Sequence, residues 1–267
     1  MSLLFSSSSF FVFVLMAHFG DVRPEELKPK NIFLLAGQSN MSGRGGVYND
    51  TKTDTLKWDS VIPPESTPSS DILTLALNNT WVEAREPLHQ EIDSLKTCGI
   101  GPGMPFAHAI LEKEPSFGVI GLVPCAIGGT KIHEWQRGTK LYNQLVDRAR
   151  ASVQSGGKIQ AMLWYQGESD CGDEYYKFYK ERTEKFFNDL RADLNSPDLP
   201  IILVVITSSE GDHMADIRRD QQKINLKNVE NVDAKGSTFL PDDKHLDTKS
   251  EIRIGQKLAH KFLTSNF

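Results

Sequence analysis

Ser39 ends a short apolar run, Asn31-Ile32-Phe33-Leu34-Leu35-Ala36-Gly37-Gln38-Ser39, that stops at a glycine and delivers a hydroxyl. A serine hydroxyl attacks a carbonyl only when a base takes its proton and a third group orients that base. Near the carboxyl end, Asp242 precedes His245 by three residues in Leu240-Pro241-Asp242-Asp243-Lys244-His245-Leu246-Asp247. One turn of chain would let the carboxylate accept from ring Nδ1 and leave Nε2 free toward a serine. His133 and His213 are rival bases, and Asp243 is a rival acid. Gly128-Gly129 and Gln166 each follow another apolar run, where backbone or side-chain amides could hold a developing oxyanion. Structural readings stand beside each of these: a turn or cap for Ser39, a tight turn for the glycines, a tie between loops for Gln166.

These residues need elements to position them. The run over Asn31–Gly37 reads as a buried parallel strand, whose carboxyl end is where open α/β sheets bind ligands. Further strands are expected at 119–124, 159–164, 200–206 and 229–232. They alternate with helices at 102–113, 141–153, 174–194, 213–226 and 249–263. That alternation implies crossovers and a parallel sheet covered on both faces. The stretch from Val47 to Gly103 has poor periodicity and recurrent prolines, and reads as a long irregular excursion. Trp58, Trp81, Glu86 and His89 lie in it, read first as packing and second as a substrate-facing wall. Gly43-Arg44-Gly45-Gly46 lacks the ending of a nucleotide loop and reads as a flexible turn in the site wall.

A chain of 267 residues with 39% hydrophobic and 24% charged residues is long enough for one large α/β domain. The net charge is −5, and the Lys and Arg residues read as scattered rather than gathered on one face, so nucleic acid is excluded as a partner. Cys98, Cys125 and Cys171 form no Cys-x-x-Cys pair, which argues for buried inert thiols and against a zinc site. Met1 to Gly20 contains an apolar segment too short to span a bilayer and similar to the hydrophobic part of a secretory signal. Residues 1–30 are therefore expected as leader and linker, with secretion or the cell wall as destination and the cytoplasm as the alternative. Residues 31–267 are expected as one domain.

In order along the chain stand Gly-Gln-Ser-Asn-Met (37–41), Cys-Ala-Ile-Gly-Gly-Thr (125–130), Trp-Tyr-Gln-Gly-Glu-Ser-Asp (164–170) and Asp-x-x-His (242–245). Together these four blocks resemble the SGNH hydrolase superfamily and, within it, carbohydrate esterase family 6 with its sialate O-acetylesterase relatives. The resemblance implies a three-layer α/β/α sandwich with a five-stranded parallel sheet of flavodoxin-like type. It also implies hydrolysis of acetyl or other short acyl esters on sugars, with no cofactor and no metal. Carried over, Ser39 matches the nucleophile, with Asp242 and His245 as its partners. The Ser39 amide and Gly129 match the oxyanion donors, with either glycine of the Gly128-Gly129 pair open as the second. Gln166 stands where the general superfamily has an asparagine as third donor. Asn40, Glu168 and Gly128 are expected to support the site. An acyltransferase acting on sugar hydroxyls and a non-catalytic carbohydrate-binding protein remain the alternatives.

Overall fold

The computed structural model describes residues 28–172 and 174–267. The signal-like leader over Met1 to Gly20 lies outside the described residues. The chain is built on β1 (Asn31–Gly37), whose residues from Ile32 onward are buried. Such a strand has both faces covered, which is why it reads as a continuous apolar run without alternation. A single helical turn, α1 (Ser39–Ser42), follows it directly. The excursion then makes two short pairs: the hairpin β2 (Val47–Asp50) with β3 (Thr55–Trp58), and β4 (Ile72–Leu75) with β5 (Trp81–Glu83). The regular alternation begins with α2 (Gly103–Lys113) and β6 (Ile120–Pro124), then α3 (Lys140–Ser152) and β7 (Lys158–Tyr165). It continues through α4 (Tyr179–Asp193), β8 (Ile201–Val205), α5 (Met214–Gln222), β9 (Val229–Asp233) and α6 (Thr248–Thr264).

Seven strands form one sheet in the order β5-β4-β6-β1-β7-β8-β9. The five expected strands are all present, parallel, and in the doubly wound order 2-1-3-4-5. The expected count of five was short by two. β4 joins β6 in parallel, and β5 caps that edge in the antiparallel sense. Both come from the excursion, so that stretch is less irregular than its prolines suggest.

Side chains alternate across the sheet, and the two faces carry separate aromatic clusters. Phe33 of β1 meets Phe106 of α2 and Phe262 of α6 at ring centroid distances of 4.8 and 5.0 Å. Trp164 of β7 points the other way, to Phe186 of α4 at 4.9 Å and Trp135 at 5.2 Å. Burying each such ring contributes about 1.5–3 kcal/mol. These clusters hold α2 and α6 on one face and α3 and α4 on the other, the three-layer arrangement expected. The helix expected over 174–194 begins later, at Tyr179, because Tyr176–Phe178 form a separate tighter turn. Among the described residues no helix is long and apolar enough to cross a membrane.

The strand order reverses between β1 and β7, and the carboxyl ends of these two strands open the crevice in which doubly wound sheets bind ligands. Gly37 and Tyr165 are paired there, with Ser39 and Gln166 immediately beyond.

Candidate active site

Ser39 opens α1 and is only 6% exposed. Gly37 makes that placement possible. Its φ is +132°, and a Cβ there would stand 2.0 Å from the carbonyl oxygen of Tyr165. Only glycine lets the chain turn off β1 while lying against β7. The amides of Ser39 and Asn40 donate to no protein group among the described residues, as expected of the first residues of a helical turn.

Asn40, completely buried, ties the two ends of the chain together. Its Oδ1 accepts from the amide of Leu246 at 3.0 Å, and its Nδ2 lies 2.7 Å from Oε1 of Glu168 and 3.5 Å from the carbonyl of Lys244. The backbone on both sides of His245 is thus fastened to the residue next to Ser39. Ser208, after β8, adds a hydrogen bond to the Lys244 carbonyl at 2.7 Å. Within the loop, Asp242 Oδ2 lies 2.6 Å from Nδ1 of His245, and Asp242 Oδ1 accepts from the amides of Lys244 and His245, both at 3.0 Å. A carboxylate only accepts, so the hydrogen is on Nδ1 and Nε2 of the neutral ring is left as an acceptor. Partial burial works against the charge of Asp242. The two amides and the imidazole outweigh it and hold the carboxyl below its ordinary value. Asp243 sits at the loop tip with φ +55°, exposed and without a bond to His245.

The rival histidines are engaged elsewhere. His213 bonds Asp216 at 2.9 Å and stacks on Tyr176, while His133 stacks on Tyr175.

Opposite Ser39 lies the turn after β6. A Cβ on Gly128 would stand 3.5 Å from Cβ of Ser39 and 2.6 Å from the Arg44 guanidinium, so the two turns touch. The choice left open between the two glycines narrows here. The Gly128 amide donates to Asp93 at 3.1 Å, whereas the exposed Gly129 amide has no partner among the described residues.

Asp93 and Arg44, to which sequence reasoning gave no role, hold this wall. Arg44 Nη2 meets Asp93 Oδ2 at 2.5 Å, with the two side chains 5% and 2% exposed. Asp93 also accepts from Ser42, and Arg44 Nη1 donates to Ser42 and to the Gly43 carbonyl. The turn at Gly43–Gly46, expected to be flexible, is therefore ordered by a buried charge pair. Breaking such a pair by removing one partner typically costs about 3–5 kcal/mol. The signal was an arginine directly after the serine turn; its partner lies 49 residues away and carries no local mark.

Gln166 departs from its expected role as an oxyanion donor. It is completely buried, and its Nε2 faces Gln38 Oε1 at 3.2 Å, the Thr130 carbonyl at 2.9 Å and Asp170 Oδ2 at 2.5 Å. An amide has two hydrogens and three acceptors already surround them, so none is left for substrate. Gln166 ties the turns after β1, β6 and β7 into one floor.

Burial also raises three carboxyl groups of the interior above their ordinary values. Burial raises Glu86 from 4.5 to about 8 against the pull of the Leu88 and Gly101 amides. Burial likewise raises Glu168 to about 7, opposed by Asn40, and puts Glu251 well above its ordinary range. His89, beside the Leu35 carbonyl, is held down to about 3 by the same cause. Glu86 and His89 therefore belong to the packing of the excursion, not to a substrate wall. An acid with a raised folded value keeps its proton in the folded state after the unfolded chain has released it. Stability is then lost as pH rises from about 4.5 to about 8. His89 acts in the opposite sense below its ordinary value of 6.5, so thermal unfolding should show the melting temperature falling between about pH 6.5 and 8, with a shallower fall in Glu86→Gln; equal slopes in the two proteins contradict the assignment.

All three cysteines are buried and unpaired, and burial raises Cys98 and Cys125 to about 11, as inert thiols require. Among the described residues no three His, Cys, Asp or Glu side chains gather as a metal would need.

The chain is similar to known proteins over nearly its whole described length. The family model described as carbohydrate esterase, sialic acid-specific acetylesterase matches residues 29–264. The chain belongs to that family. It is a carboxylic ester hydrolase of the carbohydrate esterase class, with a carbohydrate acyl ester as substrate. A probable carbohydrate esterase of Arabidopsis thaliana is 47% identical over 253 residues, covering 93% of this chain and 96% of the relative. A crystal structure from Arabidopsis thaliana superposes with a TM-score of 0.86 at 46% identity, covering 89% of this chain and 99% of that one. NanS shares the fold at TM-score 0.71 and 19% identity, over 88% of this esterase and 98% of its own chain.

Proposed function

We propose that this carbohydrate esterase hydrolyses acetyl and other short acyl esters through an acyl-enzyme on Ser39. In this reading His245 Nε2 takes the Ser39 proton as Oγ attacks the ester carbonyl. Asp242 steadies the imidazolium that forms. The amides of Ser39 and Gly129 donate to the oxyanion, an interaction worth about 2.7–4 kcal/mol per donor in hydrolases of this kind. His245 then protonates the departing sugar oxygen, and water, deprotonated by the same ring, releases the acid and restores Ser39. Glu168 acts only through Asn40, fixing the amide that fastens the His245 loop.

The observation that carries this reading is the Asn40 clamp. It fastens a loop holding a 2.6 Å Asp–His pair to the residue adjoining a serine at the switch point of the sheet. The two neighbouring acids test it. Asp242→Asn offers the ring an amide in place of a carboxylate, and kcat on 4-nitrophenyl acetate should fall by about 10³- to 10⁴-fold. Asp243→Asn should stay within about threefold of the native rate, as its side chain makes no bond to the ring. A larger loss in Asp243→Asn than in Asp242→Asn would overturn the assignment of the acid.

A further inference from the structure

The basic residues of this acidic chain are not scattered throughout as their sequence positions suggest. Lys249, Arg253, Lys257 and Lys261 recur every four residues along α6, so they rise up one side of the helix at about 6 Å intervals. They flank two adjoining depressions. One, of about 320 Å³, is lined by Lys249, Arg253 and Gln256 with Gly236 and Thr238. The next, of about 440 Å³, runs between Arg253, Gln256, Lys257 and Lys261 and the outer strand β9. Arg253 and Gln256 line both, so the groove is continuous.

These charges are poorly neutralised. Among the described residues no carboxylate lies within ion-pair distance of Lys249, Arg253 or Lys257. Lys257 donates to the carbonyl of Asp233 at 2.7 Å, and Arg253 to the Ser237 hydroxyl at 3.1 Å, which leaves both charges standing. The Arg253 Nε–H is buried without a partner. Of the acids beside the groove, Asp233 is held by Arg218 at 2.8 and 3.0 Å, and Glu230 meets Lys261 at 3.4 Å through half-exposed side chains. Glu65 is the third, at the end nearer Lys249, and Asp247 the fourth, occupied by the Thr238 hydroxyl at 2.6 Å and the Ser250 amide at 2.8 Å.

The stripe begins four residues after His245, in the turn of helix that leaves the active-site loop, and runs away from it along α6. We infer that the α6 groove is an extended subsite for an anionic polysaccharide, a chain of uronate residues whose acyl ester is presented to Ser39. One carboxylate per sugar suits a row of evenly spaced cations. Duplex nucleic acid carries about one charge per 1.7 Å of axis, far denser than cations about 6 Å apart in a single row. The inference rests on the carbohydrate esterase reading of the site and extends it to the class of polymer.

Titration calorimetry with oligogalacturonate free of acyl groups tests the groove without turnover. The native chain should bind it, with affinity falling as salt rises from about 0.01 to 0.15 M and the screening length drops from about 30 to 8 Å. Lys249→Gln/Lys257→Gln should weaken binding at least tenfold while leaving kcat/KM on 4-nitrophenyl acetate within twofold. Lys249→Gln alone, at an exposed position, should lose a smaller share with its melting temperature unchanged. Equal affinity in native and double variant, equal binding of neutral xylo-oligosaccharide, or binding of DNA or anionic vesicles but not oligogalacturonate would overturn the inference. Ser39→Ala separates the two levels. If it keeps the esterase rate while the lysine variants lose the oligouronate, the serine reading fails and the groove stands.

Discussion

Ser39→Ala should abolish acetate release from simple aryl and sugar acetates, with kcat lower by at least about 10³-fold and up to about 10⁶-fold. The range follows from what survives the change. The Ser39 and Gly129 amides remain able to polarise a carbonyl, and in serine hydrolases that residue of catalysis is about 10³–10⁴ over water. Folding should not be affected, because among the described residues Ser39 Oγ makes no hydrogen bond that holds the turn; the tie at this point is made by Ser42 Oγ to the Ser39 carbonyl at 3.2 Å. A melting temperature equal to that of the native chain, measured beside the kinetics, keeps a loss of activity from being read as a loss of structure. Retention of more than a tenth of the native kcat would remove Ser39 from the mechanism.

Gly37→Ala should cost the fold itself. The added methyl group would lie 2.0 Å from the Tyr165 carbonyl oxygen and 2.7 Å from its carbon, both backbone atoms that cannot swing aside. The same carbonyl accepts from Gln38 N at 2.8 Å, so moving it breaks the turn that delivers Ser39. The φ of +132° adds strain for any residue with a side chain. Together these should exceed about 3 kcal/mol in denaturant unfolding, or leave no soluble protein. Gly129→Ala is the matched control: its φ of +77° carries strain, but nothing lies within 4 Å of the added carbon. It should fold with a loss of about 1–3 kcal/mol. A Gly37→Ala variant within about 1 kcal/mol of the native chain would contradict the geometry of the switch point.

Much of the frame was legible in the residues, for physical reasons. β6 and β8, β1 from Ile32 onward and β7 from Ala161 onward are buried on both faces, so these stretches lack the polar alternation of a half-buried strand. The helices between them have amphipathic spacing, and α3 and α4 end four residues before Gly156 and Pro197. β4 and β5 were not legible because strands of four and three residues at a sheet edge carry too little periodicity, and Pro and Asn surround them. Asp242 and His245 could be paired in advance because three residues separate them. The Asp93–Arg44 pair and the Asn40 clamp, spanning 49 and 206 residues, depend on the folded chain to bring their members together. Gln166 misled for a related cause. A buried amide after a strand can face substrate or a neighbouring loop, and only the positions of Gln38, Thr130 and Asp170 show that its donors are occupied. The α6 stripe was hidden because a four-residue recurrence of Lys and Arg resembles an ordinary solvated face until β9 is placed beside it.

The central claim is that Ser39, activated by His245, carries the acyl group. A fluorophosphonate reports on it directly, since the probe bonds covalently only to a serine whose proton a neighbouring base removes. Intact mass followed by peptide mapping should find one adduct, on Ser39, absent in Ser39→Ala and strongly slowed in His245→Ala. An adduct on any other residue, or none from protein that hydrolyses aryl acetates at full rate, would contradict the account.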